Sequence, residues 1–280
     1  MKPFKSAAGN LSGIIDTTAA QPARMYDYYL GGKDNYPVDV EAAERVLAMN
    51  PSVRTTAKAN RAWMERVVFE LVTLGVDQFL DVGTGIPTSP NTHQIAQGIC
   101  PSARVVYVDN DPIVMAHARA LMTSTPAGRT EYILADLRDP ASILEAPELR
   151  EVLDLERPVA LLLVAVMHFV EDRSGPYDIV RTLMAALPPG SYLALTHVTG
   201  DFEPQVWEQI VQVYRQAGAE AQVRTFDETC RFFDDLDLVE PGLQLVTQWR
   251  PPPGPDVART PAAVACYGGL AVKPSGPAAP

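Results

Sequence analysis

Near residue 80 a short apolar run stops on two glycines, and this junction constrains the fold more than any other stretch. Gln78-Phe-Leu-Asp-Val-Gly83 reads as a buried strand running directly into a tight turn, Gly83-Thr-Gly85. Ser89-Pro90 then supplies a helix start for Asn91–Gly98, with serine as the cap and proline at the first helical position. Strand, glycine turn and helix form the opening unit of a parallel α/β sheet.

The unit recurs. Arg104–Asp109 is a second strand, after which Asp111-Pro112 starts a helix carrying Ile113, Ala116 and Leu121 on one face. Glu131–Asp136 is a third strand, and Asp139-Pro140 opens another helix. Val159–Val166 is apolar on both faces, as a central parallel strand covered from each side must be. A helix near Tyr177–Leu187, a strand Ser191–Val198 and a helix Pro204–Ala217, with Val206, Ile210, Val213, Tyr214 and Ala217 at helical spacing, continue the alternation. Leu243–Trp249 and Val264–Val272 read as two late strands joined through the proline-rich Pro251–Pro255, a terminal antiparallel hairpin.

Ahead of the first strand lie helices around Val40–Met49 and Val53–Leu74, the second with Val53, Ala57, Met64, Val67, Val68 and Leu71 on one stripe ended by Gly75. The predicted fold is therefore α/β: a doubly wound, Rossmann-like, mostly parallel seven-stranded sheet with a C-terminal antiparallel hairpin and an N-terminal helical extension. Residues 1–20 and 274–280, rich in Ala, Gly, Ser and Pro, are expected to be disordered; 21–75 form the extension or lid and 76–273 the main domain.

Charge narrows the partners. With 23 Lys+Arg against 34 Asp+Glu, the formal charge of −11 repels polyanions, so no nucleic-acid partner is expected. Cys100, Cys230 and Cys266 are scattered and contain no CxxC pair, which speaks for reduced thiols rather than a disulfide framework or a zinc site. The apolar run Val159–Met167 is far shorter than the roughly 20 residues a membrane span needs. The N-terminus lacks the apolar segment of a signal peptide, and a cytoplasmic protein with no membrane partner is expected.

Chemistry concentrates at the strand ends. In Asp81-Val-Gly-Thr-Gly85 two glycines let backbone approach a ligand closely, although a plain strand-to-helix turn reads the same way in isolation. Asp109 ends the second strand about 20 residues on, where an acid accepts hydrogen bonds from both hydroxyls of a ribose; alone it could equally be a helix cap or a solvated loop acid. Asp136, followed by Leu137, ends the third strand and suits an adenine amino group and ring face. Dinucleotide enzymes share these features, but Thr88 stands where their fingerprint wants Gly or Ala, and Pro87 crowds the helix start that would receive a pyrophosphate. A phosphate-free nucleoside ligand fits better.

The stretches Asp81-Val-Gly-Thr-Gly, Val108-Asp-Asn-Asp-Pro and Ala135-Asp-Leu-Arg resemble class I S-adenosylmethionine methyltransferases from about Gln78 to Val198. More narrowly, Pro22–Tyr36, Ala59-Asn-Arg61 and Phe232–Gly242 resemble the actinobacterial S-adenosyl methyltransferase family, formerly a domain of unknown function, so that the likeness covers nearly the whole chain. This resemblance implies S-adenosyl-L-methionine as cofactor, with Gly83 and Gly85 under its methionine portion, Asp109 on the ribose, and Asp136 and Leu137 at the adenine. Asp81, Thr84 and Asn110 complete the strand-end set. It names a reaction, methyl transfer to a small-molecule acceptor, but not the acceptor. A nicotinamide-dependent oxidoreductase and a catalytically silent cofactor-binding regulator are the competing readings.

Methyl transfer is an in-line displacement that needs a base only where the nucleophile must lose a proton. His168, just beyond the fourth strand, is the candidate base, with packing beside the cofactor as its other reading. His197, ending the fifth strand, is either a substrate contact or a hydrogen-bonded loop residue. His93 and His117 have no ligand partners at metal spacing, and no metal is expected. Arg24–Tyr36, with Tyr26, Tyr29, Asn35 and Tyr36, reads as a lid over cofactor and acceptor, or as a helix packed by its tyrosine faces. Arg61 can grip the methionine carboxylate through two parallel hydrogen bonds, or lie on the polar side of its helix.

Overall fold

The computed structural model describes residues 17–121, 123–252 and 261–275. Three helices come first: α1 (Pro22–Leu30), α2 (Pro37–Met49) and α3 (Val53–Thr73). The expected stripe from Val53 to Leu71 is buried along α3, and Gly75 follows the helix at φ 91°, the left-handed conformation that lets the chain turn back into the sheet. The alternating part then runs β1 (Gln78–Val82), α4 (Thr92–Ile99), β2 (Arg104–Asp109), α5 (Pro112–Leu121), β3 (Arg129–Leu134), α6 (Pro140–Leu144), α7 (Pro147–Val152), β4 (Ala160–Leu163), α8 (Pro176–Ala185), β5 (Tyr192–Val198), α9 (Pro204–Gln216) and α10 (Phe226–Cys230). Three strands close it: β6 (Asp237–Leu238), β7 (Gln244–Leu245) and β8 (Cys266–Val272).

The sheet has eight strands in the order β3-β2-β1-β4-β5-β8-β6, with β7 also paired to β8. β1 to β5 are mutually parallel, while β8 runs antiparallel to β5 over its full length, Tyr192 opposite Val272 and Val198 opposite Cys266. Burial on both faces explains the continuous apolar runs. Phe79, Val105, Tyr107 and Leu162 point into a core with Trp63 and Trp249, whereas Leu80, Val106, Leu161 and Leu163 point into the opposite core with Ile143 and Leu183. A third cluster joins Met25, Tyr29 and Val46 to Trp207, Ile210 and Val213, seating α1 and α2 on α9.

Three local expectations shift. The sheet carries eight strands rather than seven, because Asp237–Leu238 pairs with β8 as the additional strand β6, while the segment expected as one strand, Leu243–Trp249, forms only the two-residue β7. Val246 and Trp249 leave the ladder to fill the core; the Trp249 N–H donates to Leu245 O and its ring packs edge-on to Trp63 at 5.7 Å. The closing hairpin is thus a short ladder, and the main partner of β8 is β5. At α4 the cap is Asn91 rather than Ser89, its N–H donating to Gln94 Oε1 at 2.7 Å. β4 ends at Leu163, earlier than expected, because Ala165 turns the chain at φ 57°. The ends expected to be disordered, and most of the proline-rich 251–260 segment, lie outside the described residues, although Ala20 packs in the third cluster. No helix among the described residues is long and apolar enough to cross a membrane.

Candidate active site

Between β1 and β4 the strand order reverses, and the crossovers diverge to open a crevice at the carboxyl ends of the strands. A cleft of about 460 Å³ lies there, lined from β1 by Gly83, Thr84 and Gly85, from β2 by Asp109 and Asn110, from β3 by Asp136 and Leu137, and from β4 by Val164 and Ala165. Arg61 and Asp81 also line it. All nine residues expected around the cofactor are therefore gathered on one cleft, as sheet topology brings together what sequence separates.

The glycine turn is needed twice over. At Gly83, φ 75°, a Cβ would stand 2.3 Å from Val166 Cγ2, and at Gly85, φ 68°, the nearest atom to an added Cβ is Ala23 Cβ at 4.0 Å, so the cleft is open at the second position and packed at the first. Behind the turn Asp81 is buried and accepts from Thr92 Oγ1 at 2.6 Å; burial pushes its carboxyl up to about 6. Asp109 is held by two backbone amides, Gly85 N–H to Oδ2 at 2.8 Å and Asp111 N–H to Oδ1 at 2.9 Å, and burial outweighs these bonds to raise its carboxyl to about 6. A buried acid at the floor of an open cleft, oriented by the same turn that leaves the cleft open, fits a ligand with paired hydroxyls.

The end of the cleft beside β3 is more polar than the sequence suggested. Arg138 clasps Asp136, with Nε at 2.9 Å from Oδ1, and its Nη1 lies 3.7 Å from Glu220; Arg138 and Glu220 both line the cleft. Hydrogen bonds from Arg138 hold the Asp136 carboxyl below its usual range. Arg61 donates from Nη2 to the carbonyls of Thr88 and Pro90, tying α3 to the loop that follows the glycine turn, while its Nε is buried without a partner.

The turn after β4 holds the candidate base. Ala165 is a rare non-glycine residue at positive φ, kept there by its N–H donating to Thr196 Oγ1 at 2.8 Å, and it lines the cleft. His168 does not line the cofactor cleft; it faces an adjoining smaller chamber, 5.6 Å ring to ring from His197. Burial and the nearby Arg224 cation hold its pKa down to about 3, so it is a neutral imidazole at pH 7. His197 is wholly buried, its Nδ1–H on Val198 O at 2.7 Å and its Nε2 accepting from Arg224 at 2.9 Å, which fixes a neutral tautomer and keeps it behind His168. Arg224 is 0% exposed and donates also to Met167 O, Val170 O and Asp172, binding the whole 167–170 turn. Nothing in the sequence marks this arginine; its partners lie 27 to 57 positions away.

The lid residues divide. Tyr26 lines both spaces, with its hydroxyl donating to Ala57 O and accepting from Asn60 Nδ2 at 3.0 Å. Tyr29 lines the chamber, its hydroxyl 3.2 Å from that of Tyr214. Asn35 instead donates to Asp27 at 2.9 Å and shapes the loop after α1, and Tyr36 lies under the Arg24 guanidinium at 5.2 Å; neither lines the cleft. Arg24 does line it, beside Asp39 and Asp111. Among the described residues no three His, Cys, Asp or Glu side chains gather as a metal site.

A glycine turn at the switch point, a buried acid on the next strand and an antiparallel strand beside β5 define the class: a class I S-adenosylmethionine-dependent methyltransferase on a Rossmann-like sheet. Residues 8–274 match the model of the family described as S-adenosyl methyltransferase, and the chain belongs to that family, with S-adenosylmethionine as its cofactor. It is similar to a DUF574 family protein from Streptomyces avermitilis, 49% identical over 92% of this chain and 99% of that one, with a TM-score of 0.89. It is also similar to a candidate methyltransferase from Thermobifida fusca, 36% identical over 96% of this chain and 100% of that one, with a TM-score of 0.85. No curated protein matches the chain in sequence. The nicotinamide-dependent and catalytically silent readings find no support in this membership.

Proposed function

We propose that the enzyme methylates a small-molecule acceptor, with the cofactor lying along the strand-end cleft. The observation that carries this reading is the Asp109 carboxylate, oriented by Gly85 and Asp111 at the floor of the cleft. When bound, S-adenosylmethionine supplies an electrophilic methyl group on a sulfonium. In this reading Asp109 accepts from the ribose hydroxyls, and Gly83, Thr84 and Gly85 admit the methionine portion against bare backbone. Asp136, Leu137 and Asn110 flank the adenine, with Arg138 setting the orientation of Asp136. Arg61 offers its charge to the methionine carboxylate, and the buried Asp81 braces the turn through Thr92.

The chain's own contribution to the reaction is position and exclusion of water. A base works best with a pKa near the operating pH, and a His168 held down to about 3 is a weak one, so its role is to hold the acceptor by hydrogen bonding. α1 roofs the junction through Pro22 and Tyr26. Calorimetry with S-adenosylhomocysteine and NADH tests the cofactor assignment: S-adenosylhomocysteine is expected to bind, with Asp109→Asn weakening it, and binding of NADH alone would sink the reading.

A further inference from the structure

Beside the cofactor cleft lies a chamber of about 60 Å³ that shares with it Pro22, Tyr26, Asn60, Ala165 and Phe169. None of its lining residues is Asp, Glu, Lys or Arg. Burial drives its titratable groups to their uncharged forms: Tyr26, Tyr214 and Cys266 are pushed up to about 12, Tyr29 is raised further, and His168 is lowered to about 3. Two buried polar atoms on its wall have no hydrogen-bond partner, Trp207 Nε1 and His168 Nδ1. Buried polar atoms are ordinarily satisfied, and an indole N–H can only donate, so this wall presents unmet demand to whatever fills the space.

We propose that this chamber receives the methyl acceptor, an uncharged molecule that inserts a short or branched apolar group and sets an oxygen or nitrogen against Trp207 and His168. The proposal rests on the methyl-transfer reading above. Size sets the group: at about 10–15 Å³ for each water-sized position, the space takes about four to six heavy atoms. Charge is excluded because no wall residue can neutralise it and desolvating an isolated ion costs far more than apolar contact returns. Specificity follows from the two polar atoms, since a site built to hydrogen-bond rejects analogues that leave its groups unpaired.

The test is a proton–nitrogen correlation spectrum of the whole protein, with and without saturating S-adenosylhomocysteine, titrated with isobutyramide and with isobutyrate. The two compounds share a shape and differ in charge. The 3 tryptophans give three indole signals, and Trp207→Phe identifies that of Trp207. Isobutyramide is expected to move the Trp207 signal and leave those of Trp63 and Trp249, while isobutyrate at equal concentration moves none. Ala57→Leu, which fills the chamber from α3, is expected to weaken the isobutyramide response about tenfold or more. A Trp207 signal unmoved by isobutyramide in both states, or moved equally by isobutyrate, overturns the proposal, and neither comparison depends on the variant folding. Failure of S-adenosylhomocysteine to bind, with the isobutyramide response intact, counts against the cofactor reading alone.

Discussion

At the scale of single residues, Asp109 links binding to pH. Its carboxyl rises from an ordinary 3.8 to about 6, so the folded protein holds this proton more tightly than the unfolded chain does. The resulting contribution to stability is complete below pH 3.8 and is lost as pH rises through about 6. Asp109→Asn lacks this dependence, and its stability relative to the parent is expected to rise by about 2 kcal/mol between about pH 4 and pH 7, read from urea unfolding curves. Binding in the proposed mode runs the other way, because the ribose hydroxyls would donate to the ionised form. S-adenosylhomocysteine affinity is expected to fall below about pH 6, and Asp109→Asn to cost about tenfold or more at neutral pH, since a hydrogen bond to a charged group is worth about 1.5–3 kcal/mol. A calorimetric affinity that is flat from about pH 5 to pH 8 would remove Asp109 from the ribose. The place of this acid on the cleft was legible because it ends a strand. The depressed basicity of His168 was not, because it comes from burial and from the Arg224 cation, which is far away in sequence and adjacent in space.

At the scale of elements, the 167–170 turn after β4 is held from outside itself. Arg224 supplies donors to Met167 O and Val170 O, and a methionine in its place removes both of these bonds and leaves His197 Nε2 without its donor. Arg224→Met is expected to destabilise the protein by about 2–4 kcal/mol and to speed hydrogen exchange in residues 167–170 more than in β4. Equal exchange rates in parent and variant would show that the turn holds its own shape. α1 tests differently. Met25 and Tyr29 anchor it in the core, while Pro22, Ala23, Arg24 and Tyr26 line the cleft. S-adenosylhomocysteine is therefore expected to slow hydrogen exchange across α1 and to leave α2 largely unchanged; equal protection of both would make the pair one rigid scaffold. The long elements could be read from sequence because two-sided burial leaves continuous apolar runs and one-sided burial leaves stripes, as in β4 and α3. β6 and β7 could not, since two residues hold no period, and Trp249, which reads as strand, serves the core instead.

At the scale of the whole molecule, one cleft is lined by the ends of four parallel strands and by α1 together, so the binding energy of a ligand that fills it would belong to global stability. At a hundredfold excess over its dissociation constant, S-adenosylhomocysteine is expected to stabilise the native state by about 2.7 kcal/mol and raise the unfolding midpoint by about 5–10 °C. A thermal scan that does not move at saturation would place binding outside the cleft. The charge of −11 also acts as a whole, and duplex DNA and RNA are expected to show no retention of the protein in mobility-shift assays even at low salt. The architecture carries one further demand. β8 pairs with β5 along its full length yet is separated from it by some seventy positions of chain, and in vectorial synthesis every other partner of the sheet emerges first. Until residue 272 has left the ribosome, the edge of β5 has no β8 to pair with and stands as an open row of backbone donors and acceptors, the kind of template that recruits foreign strands.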